Sequence, residues 1–141
     1  MTEGVILDTG PLAAYLIESD DYHQWAVERF ASLPPLFWTC EAVVTETLYL
    51  IGSDTRALKL IRQWLENDWL RLPFQFAAER TRVFQLMEQY RSVPMSFADG
   101  CLVRMAEILD GCPILTVDGD FRIYRKHRRQ PMRTIMPSDK Q

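Results

Sequence analysis

Histidine and cysteine are scarce in this chain, and their scarcity narrows its chemistry. The sequence holds two histidines, His23 and His127, and three cysteines, Cys40, Cys101 and Cys112. Neither histidine lies in a recognisable motif, so a catalytic thiol or a histidine-activated nucleophile has little support. The cysteines are odd in number and lack metal-ligand spacing, which reads as reduced thiols in a cytoplasmic protein. No apolar run approaches the roughly 18 residues needed to cross a bilayer, so no membrane role is expected. The start, Met1-Thr2-Glu3-Gly4, has neither the basic opening nor the apolar stretch of a signal peptide. Repeats, low-complexity stretches and linkers are also missing, and one domain over residues 1–141 is expected at this length. Nor is there an excess of positive charge. A net charge of −3 argues against a generally basic nucleic-acid binder.

What the chain does have is apolar mass and a distinctive set of acids. Hydrophobic residues make up 48%, enough for a full core, and charged residues at 25% do not suggest disorder. Punctuation by Pro, Gly and capping residues predicts strands at 5–7, 36–39, 70–72, 114–117 and 134–135. Helices are predicted after Gly10-Pro11 and over 22–32, 41–51, 55–67, 77–91 and 97–109. Strands alternating with helices imply an α/β fold with a central, mainly parallel sheet flanked by helices. In such sheets ligands bind beyond the carboxyl ends of the strands.

Four acids stand where this fold could gather them: Asp8, Glu46, Asp99 and Asp118, with Asp120 close behind. Asp8 and Asp118 each follow an apolar run, at the expected end of a strand. Each also has a plain structural reading. Asp8 could cap the next helix, and Asp118-Gly119-Asp120 could be a polar turn. Asp99 fits a capping box begun by Ser96, yet at about 100° per residue it projects between Val103 and Ala106, away from a polar side carrying Arg104 and Glu107. Glu46 sits at the edge of an apolar stripe, where a solvated rim glutamate would also sit. An unpaired charge is costly to bury, and hard divalent cations are the natural partners of clustered oxygen ligands. The set therefore points to a Mg²⁺- or Mn²⁺-dependent enzyme acting on phosphate esters, with a metal-activated water instead of a protein nucleophile. Without these five acids the net charge would be +2.

At these residues the chain resembles PIN-domain nucleases, in particular the small stand-alone VapC-like type. The segments are Val5-Ile6-Leu7-Asp8-Thr9-Gly10-Pro11-Leu12, Val44-Thr45-Glu46-Thr47-Leu48, Ser96-Phe97-Ala98-Asp99 and Leu115-Thr116-Val117-Asp118-Gly119-Asp120-Phe121. The likeness runs over about residues 4–135. It implies a PIN-like fold and a metal-dependent endoribonuclease, with Asp8, Glu46, Asp99 and Asp118 as metal-binding catalytic residues. Asp120 would ligate or support the metal, and Thr116 would be the hydroxyl beside it. It further implies a homodimer, an RNA substrate and a toxin held inactive by a cognate antitoxin. Gly100 departs from the pattern, at a helix-propensity cost of roughly 1 kcal/mol.

Two further features have competing readings. Arg122, Arg125, Lys126, Arg128, Arg129 and Arg133 form a basic run that would hold RNA phosphates, Arg125, Lys126, Arg128 and Arg129 above all, or would be a solvated helix face and tail. Arg80 and Arg82 are expected on an exposed helix, away from any site. Trp25, Trp38, Trp64 and Trp69 would stack bases or fill the core and a dimer contact, the latter favoured. Rival functions are a PIN-type nuclease of RNA maturation without an antitoxin and a non-catalytic nucleic-acid-binding module. An aspartyl-nucleophile phosphatase is disfavoured, because Gly10 stands where its second Asp should be.

Overall fold

The computed structural model describes residues 4–138. A five-stranded parallel sheet forms its centre. In chain order the elements are β1 (Val5–Leu7), α1 (Thr9–Leu16), α2 (His23–Ser32), β2 (Phe37–Trp38), α3 (Glu41–Ile51), α4 (Thr55–Glu66), β3 (Leu70–Arg71), α5 (Phe76–Gln89), α6 (Phe97–Ile108) and β4 (Ile114–Leu115). A short 3₁₀ helix (Gly119–Arg122), an antiparallel pair β5 (Arg125–Lys126) and β6 (Gln130–Pro131), and β7 (Thr134–Ile135) follow. The strand order is β3-β2-β1-β4-β7. The chain thus winds outward from β1 through β2 to β3, then returns to place β4 on the other side of β1. The order reverses between β1 and β4, and it is beyond the carboxyl ends of the strands at such a reversal that open α/β sheets place a ligand crevice.

The sequence patterns explain the elements. Val5, Ile6 and Leu7 are all buried, as a strand covered on both faces requires. Asp54 caps α4 by accepting from the Ala57 N–H, and Ser96 caps α6 by accepting from the Asp99 N–H. Phe37, Leu12, Leu70, Leu86, Leu102 and Met105 fill the space between sheet and helices. Trp25, Trp38, Trp64 and Trp69 pack against that core, with Trp69 on Phe37 and Trp64 at 4.7 and 4.8 Å between ring centres. They fit the core reading. All three cysteines are free and buried. Gly100 lies where α5 crosses α6: a Cβ there would stand 3.2 Å from Met87 and 3.3 Å from Val83. Close packing of the two helices accounts for the poor helix former.

The basic run is not a helix face. Residues 125–131 form a hairpin whose turn residues His127 and Arg128 take φ of 50° and 73°. Acids on α6 and just after it hold the hairpin. The Lys126 ammonium meets Asp110 at 2.9 Å, and the His127 N–H donates to Glu107 Oε2 at 2.7 Å. Glu107, expected on the polar side of its helix, is buried instead. Arg82 forks onto both its oxygens at 3.0 and 2.7 Å, and Arg104 reaches Oε1 at 3.0 Å. Arg82 is therefore not a freely exposed cation, because α5 packs its side chain over the Glu107 carboxylate. Burial alone would push the Glu107 carboxyl up. The Arg82 guanidinium, the His127 N–H and Arg104 outweigh it and hold the group down at about 2.

A folded-state value below the unfolded one means stability that is present above about 4.5 and lost as pH falls through about 2. Glu107→Ala is expected to cost about 2–4 kcal/mol at neutral pH, toward the lower end because Arg82 and Arg104 keep some contact with water. Its urea unfolding midpoint should also lose part of the acid-induced fall seen in wild type. A loss under about 0.5 kcal/mol, the ordinary size of a surface change, would show that the ion-pair cluster does not hold the hairpin.

Candidate metal centre at the β1/β4 crevice

Asp8 follows β1 and caps α1, so its place is fixed from both sides. Its N–H donates to Leu115 O at 3.1 Å, continuing the β1–β4 ladder one step past Leu7. Its Oδ1 accepts from the Thr9 N–H at 2.7 Å and its Oδ2 from the Thr116 hydroxyl at 2.6 Å. Asp8 is only 6% exposed and Thr116 is wholly buried. The Thr116 oxygen also accepts from the Asp118 N–H at 3.0 Å, so one hydroxyl joins two of the acids. Gly10 makes this approach possible: a Cβ there would lie 2.4 Å from Val117 Cγ2. The first turn of α1 can therefore lie against the segment between Thr116 and Asp118.

The other acids arrive from separate elements. Asp118 caps the 3₁₀ helix by accepting from the Asp120 N–H at 2.9 Å. Asp99 sits in the first turn of α6, half-buried, and its Oδ2 accepts from the Tyr124 hydroxyl at 2.8 Å. Glu46 is exposed on α3, and its Oε1 accepts from the Thr9 hydroxyl at 2.6 Å. Asp8, Asp99 and Asp118 are close enough for Asp118 to raise the proton affinity of the other two, and Glu46 is joined to them through Thr9 on the rim. Asp120 stands beside Asp118 and adds negative charge around Tyr124. The Asp99 N–H completes the Ser96 cap, while its carboxylate lies near Asp8 and Asp118.

Burial pushes the Asp8 carboxyl up to about 7. The Thr116 and Thr9 hydrogen bonds favour its anion, and Asp99 and Asp118 push it up further. Asp99 is raised as well, first by burial and then by Asp118, against hydrogen bonds from Tyr124 and Ser96. The arrangement is open: among the described residues no three His, Cys, Asp or Glu side chains close into a ligand set by themselves. The donors nonetheless suit a hard divalent cation. They are all oxygens, no ion pair among the described residues involves them, and Mg²⁺ commonly binds through one or two carboxylates while retaining waters.

The basic hairpin is set apart from these acids. Tyr124 meets Asp99 near the start of α6, but His127 is held by Glu107, eight residues and about 12 Å further along the helix. Lys126 is buried in its ion pair, and Arg125 turns back onto the carbonyls of Arg122, Ile123 and Tyr124. Of the four cations expected to bind substrate, Arg128 and Arg129 are the exposed ones. Tyr124 and Thr9 are the site residues that sequence reasoning passed over. Thr9 carried a signal, being next to Asp8. Tyr124 carried none in its spacing.

The family model of the PIN domain matches residues 5–126, and the chain belongs to that family. Its fold is similar to the crystal structure of Mycobacterium tuberculosis VapC20, a sarcin-ricin loop cleaving toxin, with a TM-score of 0.77 and 22% sequence identity. That likeness covers 90% of this chain and 99% of the other. No curated protein sequence matches. The fold and the family expected from the four acidic motifs are thus both found.

The Asp8 carboxyl is raised in the folded state, so its stability contribution is fully present below 3.8 and lost as pH rises through about 7. In metal-free protein, Asp8→Asn should gain stability over wild type as pH rises across that interval, by up to about 4 kcal/mol. Thermal melts of both proteins in EDTA would measure it. A difference that stays flat with pH would contradict the crowding of charge at Asp8.

Proposed function

We propose that the protein is a metal-dependent endoribonuclease hydrolysing RNA phosphodiester bonds, acting as the toxin of a toxin–antitoxin pair. The observation that carries this reading is the meeting of Asp8, Asp99 and Asp118 at the β1/β4 switch point of a PIN fold. VapC20, similar in fold, is a toxin that cleaves the sarcin-ricin loop, and this supports RNA as the substrate class.

Each residue has a definable task. Asp8, Asp99, Asp118 and Glu46 would hold Mg²⁺ or Mn²⁺. When bound, the ion lowers the pKa of water and offsets charge on the phosphate. The Thr9 N–H and the Thr116 hydroxyl hold Asp8 in one rotamer, and the Thr9 hydroxyl aims Glu46 at the same crevice. Asp120 supports Asp118 through its backbone N–H. Because Asp8 is nearly out of water, charge compensation there is worth more than it would be at the surface. Arg128 and Arg129 would contact phosphates away from the scissile one, and Arg125 and Lys126 would position the hairpin that carries them. Tyr49 and Leu50, 84% and 52% exposed on the helix that carries Glu46, offer apolar surface to an antitoxin or a second copy.

Purified protein should cut RNA with Mg²⁺ or Mn²⁺, stop in EDTA, and be reduced to background by Asp8→Asn. Cleavage that persists in EDTA would overturn the metal dependence. Growth arrest on expression, relieved by the same substitution, would separate a toxin from an RNA-maturation nuclease, which should be tolerated.

Replacing Arg128 and Arg129 together by Ala should weaken RNA binding and lower the salt slope by about 0.7 for each phosphate of a single strand that the variant no longer neutralises. Arg80 and Arg91, exposed on and just after α5, are the comparison pair. Equal effects from both pairs would show that the hairpin has no special part in binding.

A further inference from the structure

Tyr124 is a fully buried tyrosine whose hydroxyl donates to a carboxylate of the candidate centre. Its ring is fixed by edge-on contacts with Tyr90 and Phe121, each at 5.1 Å between centres. The chain on either side is fixed as well. The 3₁₀ helix precedes it, and the Arg125 N–H that follows donates to the Tyr90 hydroxyl at 3.0 Å. Lys126 and His127 then tie the hairpin to Asp110 and Glu107. A buried tyrosine usually satisfies its hydroxyl on whatever acceptor is near, and most side-chain hydrogen bonds go to backbone or water. This one goes to Asp99.

We propose that Tyr124 is the positioning residue for Asp99, and that its hydroxyl sets the affinity of the centre for a divalent cation by fixing the rotation of that carboxylate. The inference rests on the reading of Asp99 as a metal-binding residue. An aspartate in the first turn of a helix can turn about its side-chain bonds, and each orientation lost on binding lowers affinity. A hydroxyl held at 2.8 Å from Oδ2, acting with the hydrogen bonds from Ser96, removes that freedom in advance. Asp8 is ordered by the Thr9 N–H and Thr116, Glu46 by the Thr9 hydroxyl and Asp118 by the Asp120 N–H, so Tyr124 completes a set in which each of the four acids has its own donor. Partners of this kind commonly change metal affinity by about 10- to 100-fold when removed. It also gives the Glu107 cluster a part in the site, because the hairpin it anchors begins next to Tyr124.

The test is the Mn²⁺ dissociation constant, read by electron paramagnetic resonance of the free ion, for wild type, Tyr124→Phe and Tyr15→Phe. Phenylalanine keeps the ring and removes the hydroxyl. Tyr124→Phe should weaken Mn²⁺ binding by about tenfold or more, whereas Tyr15→Phe, which removes a hydroxyl from the separate aromatic group of Phe30 and Trp64, should leave it within about twofold, the ordinary effect of a change remote from the ion. Unchanged binding in Tyr124→Phe overturns the proposal, and so does an equal loss in both variants, which would trace the effect to packing. Absence of Mn²⁺ binding in wild type overturns the reading of the centre itself, and the role of Tyr124 with it. Should Tyr124→Phe fail to fold, the wild type gives the same decision. The buried Tyr124 hydroxyl proton should give a slowly exchanging resonance that moves when Mg²⁺ is added, and a resonance that stays in place contradicts the proposal.

Discussion

One hydrogen bond organises the crevice: the Thr116 hydroxyl donating to Asp8 Oδ2 at 2.6 Å across the ends of β1 and β4. It joins residues 108 positions apart at the point where the strand order reverses. The same oxygen accepts from the Asp118 N–H, so it sets the second acid relative to the first. Gly10 permits the contact by letting α1 lie against Val117. The cost is electrostatic. Asp8 is nearly out of water with Asp99 and Asp118 beside it, and its carboxyl rises to about 7 as a result. Two hydrogen bonds stabilise the anion, yet burial outweighs them. A fold that keeps such a site gives up stability for it, as sites of chemistry commonly do.

The far end of α6 shows the opposite solution to the same problem. Glu107 is as buried as Asp8 but has two guanidinium groups and a backbone N–H, and its carboxyl falls to about 2. One helix thus carries a compensated carboxylate at one end and an uncompensated one at the other. The compensated end is architecture. It fixes the hairpin that follows Tyr124, and so reaches back to the acids. The uncompensated end is where a cation has something to offset.

Much of this was legible in the residues. The strand at Val5–Leu7 and the helix at Glu41–Ile51 have the predicted bounds, because a dense apolar run and a clear Gly52 stop define them. Four acids in separate segments pointed to one place because α/β sheets collect the ends of their strands on one side. The hairpin at 125–131 was not legible. Its turn residues His127 and Arg128 occupy left-handed conformations where Gly or Asn would have announced a turn, and the contact with Glu107 that holds them is long-range. Glu107 itself was misplaced onto a polar face because helical periodicity sees only one helix, and its burial depends on Arg82 from α5. Tyr124 had no local mark of function, since its partner lies 25 residues away.

The proposed divalent cation among Asp8, Asp99 and Asp118 would offset the charge that burial and the neighbouring carboxylates crowd together there. Crystals soaked in Mn²⁺ and measured near the manganese absorption edge would test it most directly. The expected result is an anomalous peak within ligating distance, about 2.0–2.3 Å, of at least two of these carboxylates. A peak confined to other surface acids, or none in crystals whose crevice is open to solvent, would contradict it.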